Sequence, residues 1–166
     1  MHKFAILLAS PALVLAMPAH AQESAGQIDY PGFTQLTAEV ADLRSERLLD
    51  AASFFTAARA EGALLLDTRS AAAFEAGHIE GAVNLPFSDF TDAKLREVIG
   101  EDLDRPIYIY CNNNFRDNIT PVVTKRAPLA LNIPAFINLV GYGYANVWEL
   151  GDVLSLSDVE WVAAKG

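Results

Sequence analysis

A mostly parallel central sheet of about five strands with helices on both faces, an α/β architecture in one domain, is the fold class this sequence predicts. Three observations lead there. Two short runs, Ala63 to Leu66 and Ile107 to Tyr110, are continuously apolar rather than alternating, as strands covered on both faces are. Asp50, Ser70 and Thr91 each stand where a helix cap belongs, and Gly62, Gly77 and Gly100 close the stretches that follow. The length of 166 residues, 52% of them apolar, holds one domain with a substantial core.

The first 21 residues are set apart from the fold. Lys3 gives a positive start, Phe4 to Ala16 is apolar apart from Ser10 and Pro11, and Ala19-His20-Ala21 is a small-x-small cleavage site. Residues 1–21 therefore read as a secretory signal peptide, with a periplasmic or secreted location after its removal. The apolar stretch is shorter than the roughly 20 residues a bilayer crossing needs, and no cysteine follows it for lipid attachment, so no membrane anchor is expected after cleavage. Cleavage removes His2 and His20 and leaves His78 and Cys111 as the only imidazole and thiol.

Residues 22–46 read as an N-terminal arm: 22–35 are polar with Pro31-Gly32, and Thr37 to Leu43 is a short helix. Strand and helix signals alternate over residues 47–166. Arg47 to Leu49 is a strand, and Asp50 caps a helix to about Ala60. Ala63 to Leu66 is the first buried strand, and Ser70 opens an Ala-rich helix stopping near Gly77. Ala82 to Asn84 is a brief strand closed by Pro86, and Thr91 caps a helix with Leu95, Val98 and Ile99 on one side. Ile107 to Tyr110 is the second buried strand. Asn132 or Ile133 opens a helix to about Val140, with Pro134 tolerated in its first turn. Tyr144 to Trp148 contains the last strand, and Ser157 to Ala164 is expected to be a terminal helix.

Charge and cysteine content narrow the chemistry. A net charge of −9 argues against nucleic acid, which needs clustered Lys and Arg. A lone cysteine forms no internal disulfide, and a lone thiol with a lone histidine makes no thiolate or multi-histidine metal centre. An unpaired thiol in an exported chain is either reactive or a small buried hydrophobe. Cys111 stands at the carboxyl end of a buried strand, where ligands bind in such sheets. Asn112, Asn113, Asn114, Phe115 and Arg116 follow it, and a tight loop of asparagines can turn its N–H groups inward as an anion nest. Such donors, with a guanidinium nearby, predict a lowered thiol pKa.

Four segments together resemble the rhodanese-like domains, a family of sulfurtransferases, over about residues 47–161. Leu64 to Arg69 is similar to the family's strand followed by D-x-R, and Phe74 to Pro86 resembles its F-x-x-G-H-I-x-G-A-x-N-[IL]-P signature. Ile107 to Arg116 resembles the strand and loop that carry the active-site cysteine, and Gly143 to Leu150 the terminal G-Y-x-N-V-x-x-L segment. The resemblance implies sulfane-sulfur transfer through a Cys111 persulfide, from thiosulfate or a persulfide to cyanide or a thiol, a protein thiol included. It requires no cofactor. The main chain of residues 112–116 would hold the outer sulfur, and Arg116 would orient an anionic donor. Related phosphatases and arsenate reductases carry the loop arginine six positions after the cysteine. Here the interval is five, which fits sulfur.

Two departures from the family pattern carry expectations of their own. Asn114 occupies a usual glycine position, which suits a left-handed residue. Residues 117–131 are inserted before the helix that normally follows the loop, and Val122-Val123-Thr124 before Lys125-Arg126 reads as a small hairpin or flap. The insertion either displaces that helix and its dipole from the sulfur, or is a lid whose Lys125 and Arg126 attract the donor, or is a partner surface, or is a solvated surface turn. His78, Asp67 and Arg69 read as structural, the last two as an ion pair, and Tyr108, Tyr110, Trp148 and Trp161 as packing aromatics. The competing function is a non-catalytic binding or regulatory module in which the thiol is incidental.

Overall fold

The computed structural model describes residues 27–163. The chain divides into two compact units, residues 1–30 and 31–166; only 27–30 of the first are described, and the fold lies in the second. The expected signal peptide lies outside the described residues.

In chain order the elements are α1 (Tyr30–Glu46), β1 (Leu48–Leu49), α2 (Ala51–Ala58), β2 (Leu64–Asp67), α3 (Ala71–Ala76), β3 (Gly77–Ile79), β4 (Val83–Asn84), α4 (Asp92–Ile99), β5 (Ile107–Tyr110), α5 (Asn132–Gly141), β6 (Val147–Leu150) and β7 (Trp161–Ala163). Five strands pair in parallel in the order β1-β6-β5-β2-β4, and β3 pairs with β7 antiparallel. All four residues of β2 and of β5 are buried, which is why these strands are apolar up to Asp67, the one charged residue among the eight.

Alternation along the strands builds two cores. Leu64, Leu66, Ile107, Ile109 and Val147 face Val40 of α1, Leu95 and Ile99 of α4, and Ala135, Phe136 and Leu139 of α5. Leu65, Tyr108, Tyr110 and Leu150 face Phe54 of α2 and Ile79 of β3 on the other side. The three expected caps are in place. Asp50 accepts from the Ser53 N–H at 2.8 Å, Ser70 from Ala73 at 3.3 Å and Thr91 from Lys94 at 3.3 Å.

Three expectations are corrected. The arm's helix runs from Tyr30 to Glu46 rather than Thr37 to Leu43, because Leu36, Val40 and Leu43 recur at helical spacing against the α5-side core. Among the described residues, the expected terminal helix from Ser157 is not formed. Leu156–Asp158 is a 3-10 turn, and residues 161–163 pair with β3, where Ile79 faces Trp161 across the ladder. Residues 117–131 form no hairpin; they hold a turn and a 3-10 segment at Ala127–Leu129.

Trp161 explains the second correction. Its ring packs edge-on to Phe115 at 5.3 Å between centroids and fills the space over Gly77, where an added Cβ would lie 2.5 Å from the indole Nε1. Gly77→Ala is accordingly expected to cost about 1–3 kcal/mol, read as a lower denaturant midpoint; an unchanged midpoint would contradict this packing.

The residues read as scaffold behave as such. Arg69 and Asp67, 1% and 0% exposed, pair at 2.6 Å, and the Tyr110 hydroxyl donates to the same carboxylate oxygen at 2.6 Å. The His78 ring stacks on Phe74 at 3.7 Å, with its Nδ1 2.9 Å from the Phe74 carbonyl.

Candidate functional site

The order of the strands decides where a site belongs. From β2 the chain moves outward to β4, and from β5 it moves outward the other way to β6, so the connections diverge between these two adjacent strands. The crevice at the carboxyl ends of such a pair is the usual ligand position in open α/β sheets. Cys111 is the first residue beyond β5. The register Leu66↔Ile109 and Asp67↔Tyr110 makes Thr68 its lateral neighbour beyond β2. Alternation returns both side chains to the α5 side, the side of Leu66 and Ile109.

Cys111 is 1% exposed and unpaired. The main-chain N–H groups of Asn113, Asn132 and Leu131 face its sulfur. Residues 112–114 form a right-handed 3-10 turn, not a left-handed nest. The N–H groups of Asn114 and Phe115 bond back to the Cys111 and Asn112 carbonyls at 3.1 and 3.0 Å, and that of Arg116 goes to Leu154 at 2.9 Å. Among the described residues, Asn118 is the non-glycine residue with positive φ, at 47°, so Asn114 does not take the left-handed form expected of it. Its side chain knits the site instead. Oδ1 accepts from the Cys111 N–H at 2.9 Å and from Asn132 Nδ2 at 3.0 Å, while Nδ2 donates to the Leu150 and Asp152 carbonyls at 2.8 and 3.1 Å.

The lowered thiol pKa expected from sequence is also corrected. Burial pushes the Cys111 thiol above its ordinary value; the amides of Asn113, Asn132 and Leu131 pull it down and the Glu149 carboxylate adds to the rise. Desolvation outweighs three main-chain dipoles because a thiolate loses its whole hydration shell at 1% exposure.

The insertion leaves the helix aimed at the sulfur, since Leu131 and Asn132 begin α5. Residues 117–131 arch over the sheet's carboxyl edge. At one end Val122 is buried with Tyr110 and Phe115, and Arg69 Nη1 donates to the Pro121 carbonyl at 3.3 Å; at the other the chain enters α5 on the opposite face. Asn113 fastens the arch: its Nδ2 donates to the Lys125 carbonyl at 2.7 Å and its Oδ1 accepts the Lys125 N–H at 3.0 Å. Arg116 is exposed, with its guanidinium on the Val153 carbonyl at 2.5 Å, Ser155 Oγ at 3.4 Å and the Asp158 carboxylate at 3.8 Å. Phe115 is buried among Tyr110 and Trp161. The Asp117 carboxylate accepts the Leu156 N–H at 2.9 Å.

Residues 51–151 match the Rhodanese-like domain family. The chain belongs to that family. A sulfurtransferase stands among the relatives of this rhodanese-like domain: the adenylyltransferase and sulfurtransferase uba4 of Sclerotinia sclerotiorum is 31% identical over 112 residues, 63% of this chain and 24% of that protein. YqhL of Bacillus subtilis, an uncharacterized protein, is 43% identical over 54 residues, 32% of this chain and 40% of its own. The chain thus spans a quarter to two-fifths of these curated relatives. Among solved structures, the Bacillus halodurans protein BH2092 superposes with a TM-score of 0.51 at 18% identity, covering 76% of this chain and 85% of that one, a likeness of fold.

Within this rhodanese-like domain, three buried side-chain polar atoms among the described residues lack a hydrogen-bond partner: Thr68 Oγ1, Asn112 Oδ1 and Asn132 Oδ1. All three belong to residues around Cys111. Thr68 is its neighbour in register, Asn112 follows it in sequence, and Asn132 turns an N–H toward it. Buried orphans are rare enough to call for a ligand or a water. Sequence reading missed Thr68, Asn132 and Glu149. A threonine next to a buried strand and a carboxylate in the inward phase of Val147-Trp148-Glu149 were the available signals.

Proposed function

We propose that this rhodanese-like domain is a sulfurtransferase with Cys111 as its nucleophile. The observation that carries the reading is a single thiol at the divergence of β2 and β5, faced by the N–H groups of Asn113, Leu131 and Asn132. The thiol first gives its proton to solvent. The Cys111 thiolate then attacks the outer sulfur of thiosulfate, the sulfur–sulfur bond breaks, and sulfite leaves with the electron pair. Cyanide or a thiolate next attacks the outer sulfur of the Cys111 persulfide, which restores the thiolate and forms thiocyanate or a new persulfide. A low-molecular-weight persulfide can replace thiosulfate as donor. The three N–H groups stabilise the charge on the bound sulfur, as main-chain donors do for developing anions. Access requires the arch to lift at its Lys125 end, where the two Asn113–Lys125 bonds must break. In this mechanism Arg116 braces the loop against residues 153–158. We place the protein outside the cytoplasm on the strength of residues 1–21, and cell fractionation checks that.

Incubation with thiosulfate followed by intact mass measurement tests the reaction. The expected result is a gain of one sulfur atom that cyanide removes and that Cys111→Ser does not show. Absence of any adduct with thiosulfate or a persulfide would overturn the proposal in favour of a non-catalytic binding module, the reading that the burial of Cys111 supports.

Thr68 gives a second test. Its hydroxyl is buried without a partner, so Thr68→Val removes a polar group that contributes no bond in the resting protein. The variant is expected to be more stable by about 1 kcal/mol and to lose the Cys111 persulfide faster, while Thr68→Ser keeps the parent lifetime. Equal lifetimes for the valine variant and the parent would remove Thr68 from the site.

A further inference from the structure

We propose that Arg44, on the helix preceding the family-matched segment, is a positioning residue for the Cys111 site and acts on it through Glu149 and Asn132. The inference rests on the reading that Cys111 is the working group. Its first support is an unbroken line of bonds. Arg44 Nε donates to Glu149 Oε2 at 2.8 Å and Nη2 to Oε1 at 2.7 Å. Asn132 Nδ2 donates to Glu149 Oε1 at 3.2 Å and to Asn114 Oδ1 at 3.0 Å, and that oxygen also accepts the Cys111 N–H at 2.9 Å. A guanidinium on α1 is therefore tied to the main chain of the nucleophile through three side chains.

Electrostatics is the second support. Glu149 is 4% exposed, and pairing Ile109↔Glu149 puts it on the α5 side of the sheet, two residues before Cys111 in register. A carboxylate so placed opposes a second negative charge on the sulfur. The two-point contact from Arg44 is the arrangement that neutralises a buried carboxylate most completely. Other charged groups are engaged elsewhere: Asp117 with the Leu156 N–H, Asp152 with the Ala51 N–H, Arg116 with residues 153–158, and Asp67 with Arg69 on the opposite face. Lys125 is exposed, held through its main chain by Asn113.

The third support is the orphaned Asn132 Oδ1. Both bonds from Nδ2 fix which way the amide faces, so the bare oxygen is turned by the same network that orients the first turn of α5. Without Arg44, Glu149 keeps an uncompensated charge beneath the sulfur. That charge disfavours the thiolate. The family match begins at residue 51, so this part of the site belongs to the chain's own N-terminal helix.

The test is a double-mutant cycle on the full chain, read by titrating the ultraviolet absorbance of the Cys111 thiolate. Arg44→Ala is expected to move the midpoint up by about one pH unit, which is about tenfold less thiolate at a fixed lower pH; Arg44→Lys restores most of it. Glu149→Gln is expected to move the midpoint down, and adding Arg44→Ala to it should have no further effect. A midpoint unmoved by Arg44→Ala, or moved equally with Gln at position 149, would overturn the proposal. Should Arg44→Ala not fold, Glu149→Gln decides alone, and a midpoint that does not fall refutes the network. Thiosulfate labelling of the same samples separates the two ideas. Shifted midpoints without any persulfide leave the network and remove the enzyme, whereas a persulfide with unshifted midpoints does the reverse.

Discussion

Arg69→Met is expected to cost about 3–5 kcal/mol, a large part of the roughly 5–15 kcal/mol that holds a domain of this kind together. The guanidinium donates from Nε to both Asp67 oxygens at 3.0 Å and from Nη2 to Asp67 at 2.6 Å, and the same Nη2 reaches the Gly77 carbonyl at 2.7 Å. Removing it leaves a carboxylate at 0% exposure with the Tyr110 hydroxyl and its own loop's N–H for company, and strips a donor from Gly77. The penalty comes from the stranded charge more than from the lost attraction. Asp67→Asn added to Arg69→Met should therefore recover part of the loss, since an amide tolerates burial better than an anion. Chemical denaturation of both variants checks this; a double variant less stable than the single one would assign the cost to packing.

That pair was legible in the sequence, and the reason shows what sequence can carry. Asp67 and Arg69 are two positions apart at a strand end, so local geometry alone brings them together. Caps at Asp50, Ser70 and Thr91, and the buried runs in β2 and β5, are local in the same sense. The terminal segment was misread because its structure is not local. Residues 161–163 find a partner strand some eighty positions earlier, and Trp161 fits only because Gly77 has no side chain. The loop after Cys111 failed for a related reason. Three asparagines read as left-handed turn formers, yet Asn114 spends its amide on Cys111, Asn132, Leu150 and Asp152, contacts that no spacing announces. Arg44 was one charge among many on a polar helix, and only the buried Glu149 gives it meaning.

The pH dependence of persulfide formation carries the other large effect. The Cys111 thiol sits above its ordinary value because burial disfavours the anion more than the amides of Asn113, Asn132 and Leu131 favour it. The reactive form is the thiolate. Below the thiol's pKa the thiolate fraction rises about tenfold per pH unit, so the rate of sulfur uptake from thiosulfate is expected to climb through neutrality without a plateau. Stability must move the opposite way. A folded-state pKa raised above the unfolded one means that the native protein holds its proton longer, so this contribution is complete below the unfolded thiol's pKa and is lost as pH rises through the folded one. Cys111→Ser should abolish uptake and flatten that alkaline loss together. A rate that levels off at neutral pH would mean the thiol ionises easily in the working protein. The arch over residues 117–131 would then have to open before ionisation, exchanging burial for water while the helix amides stay in place.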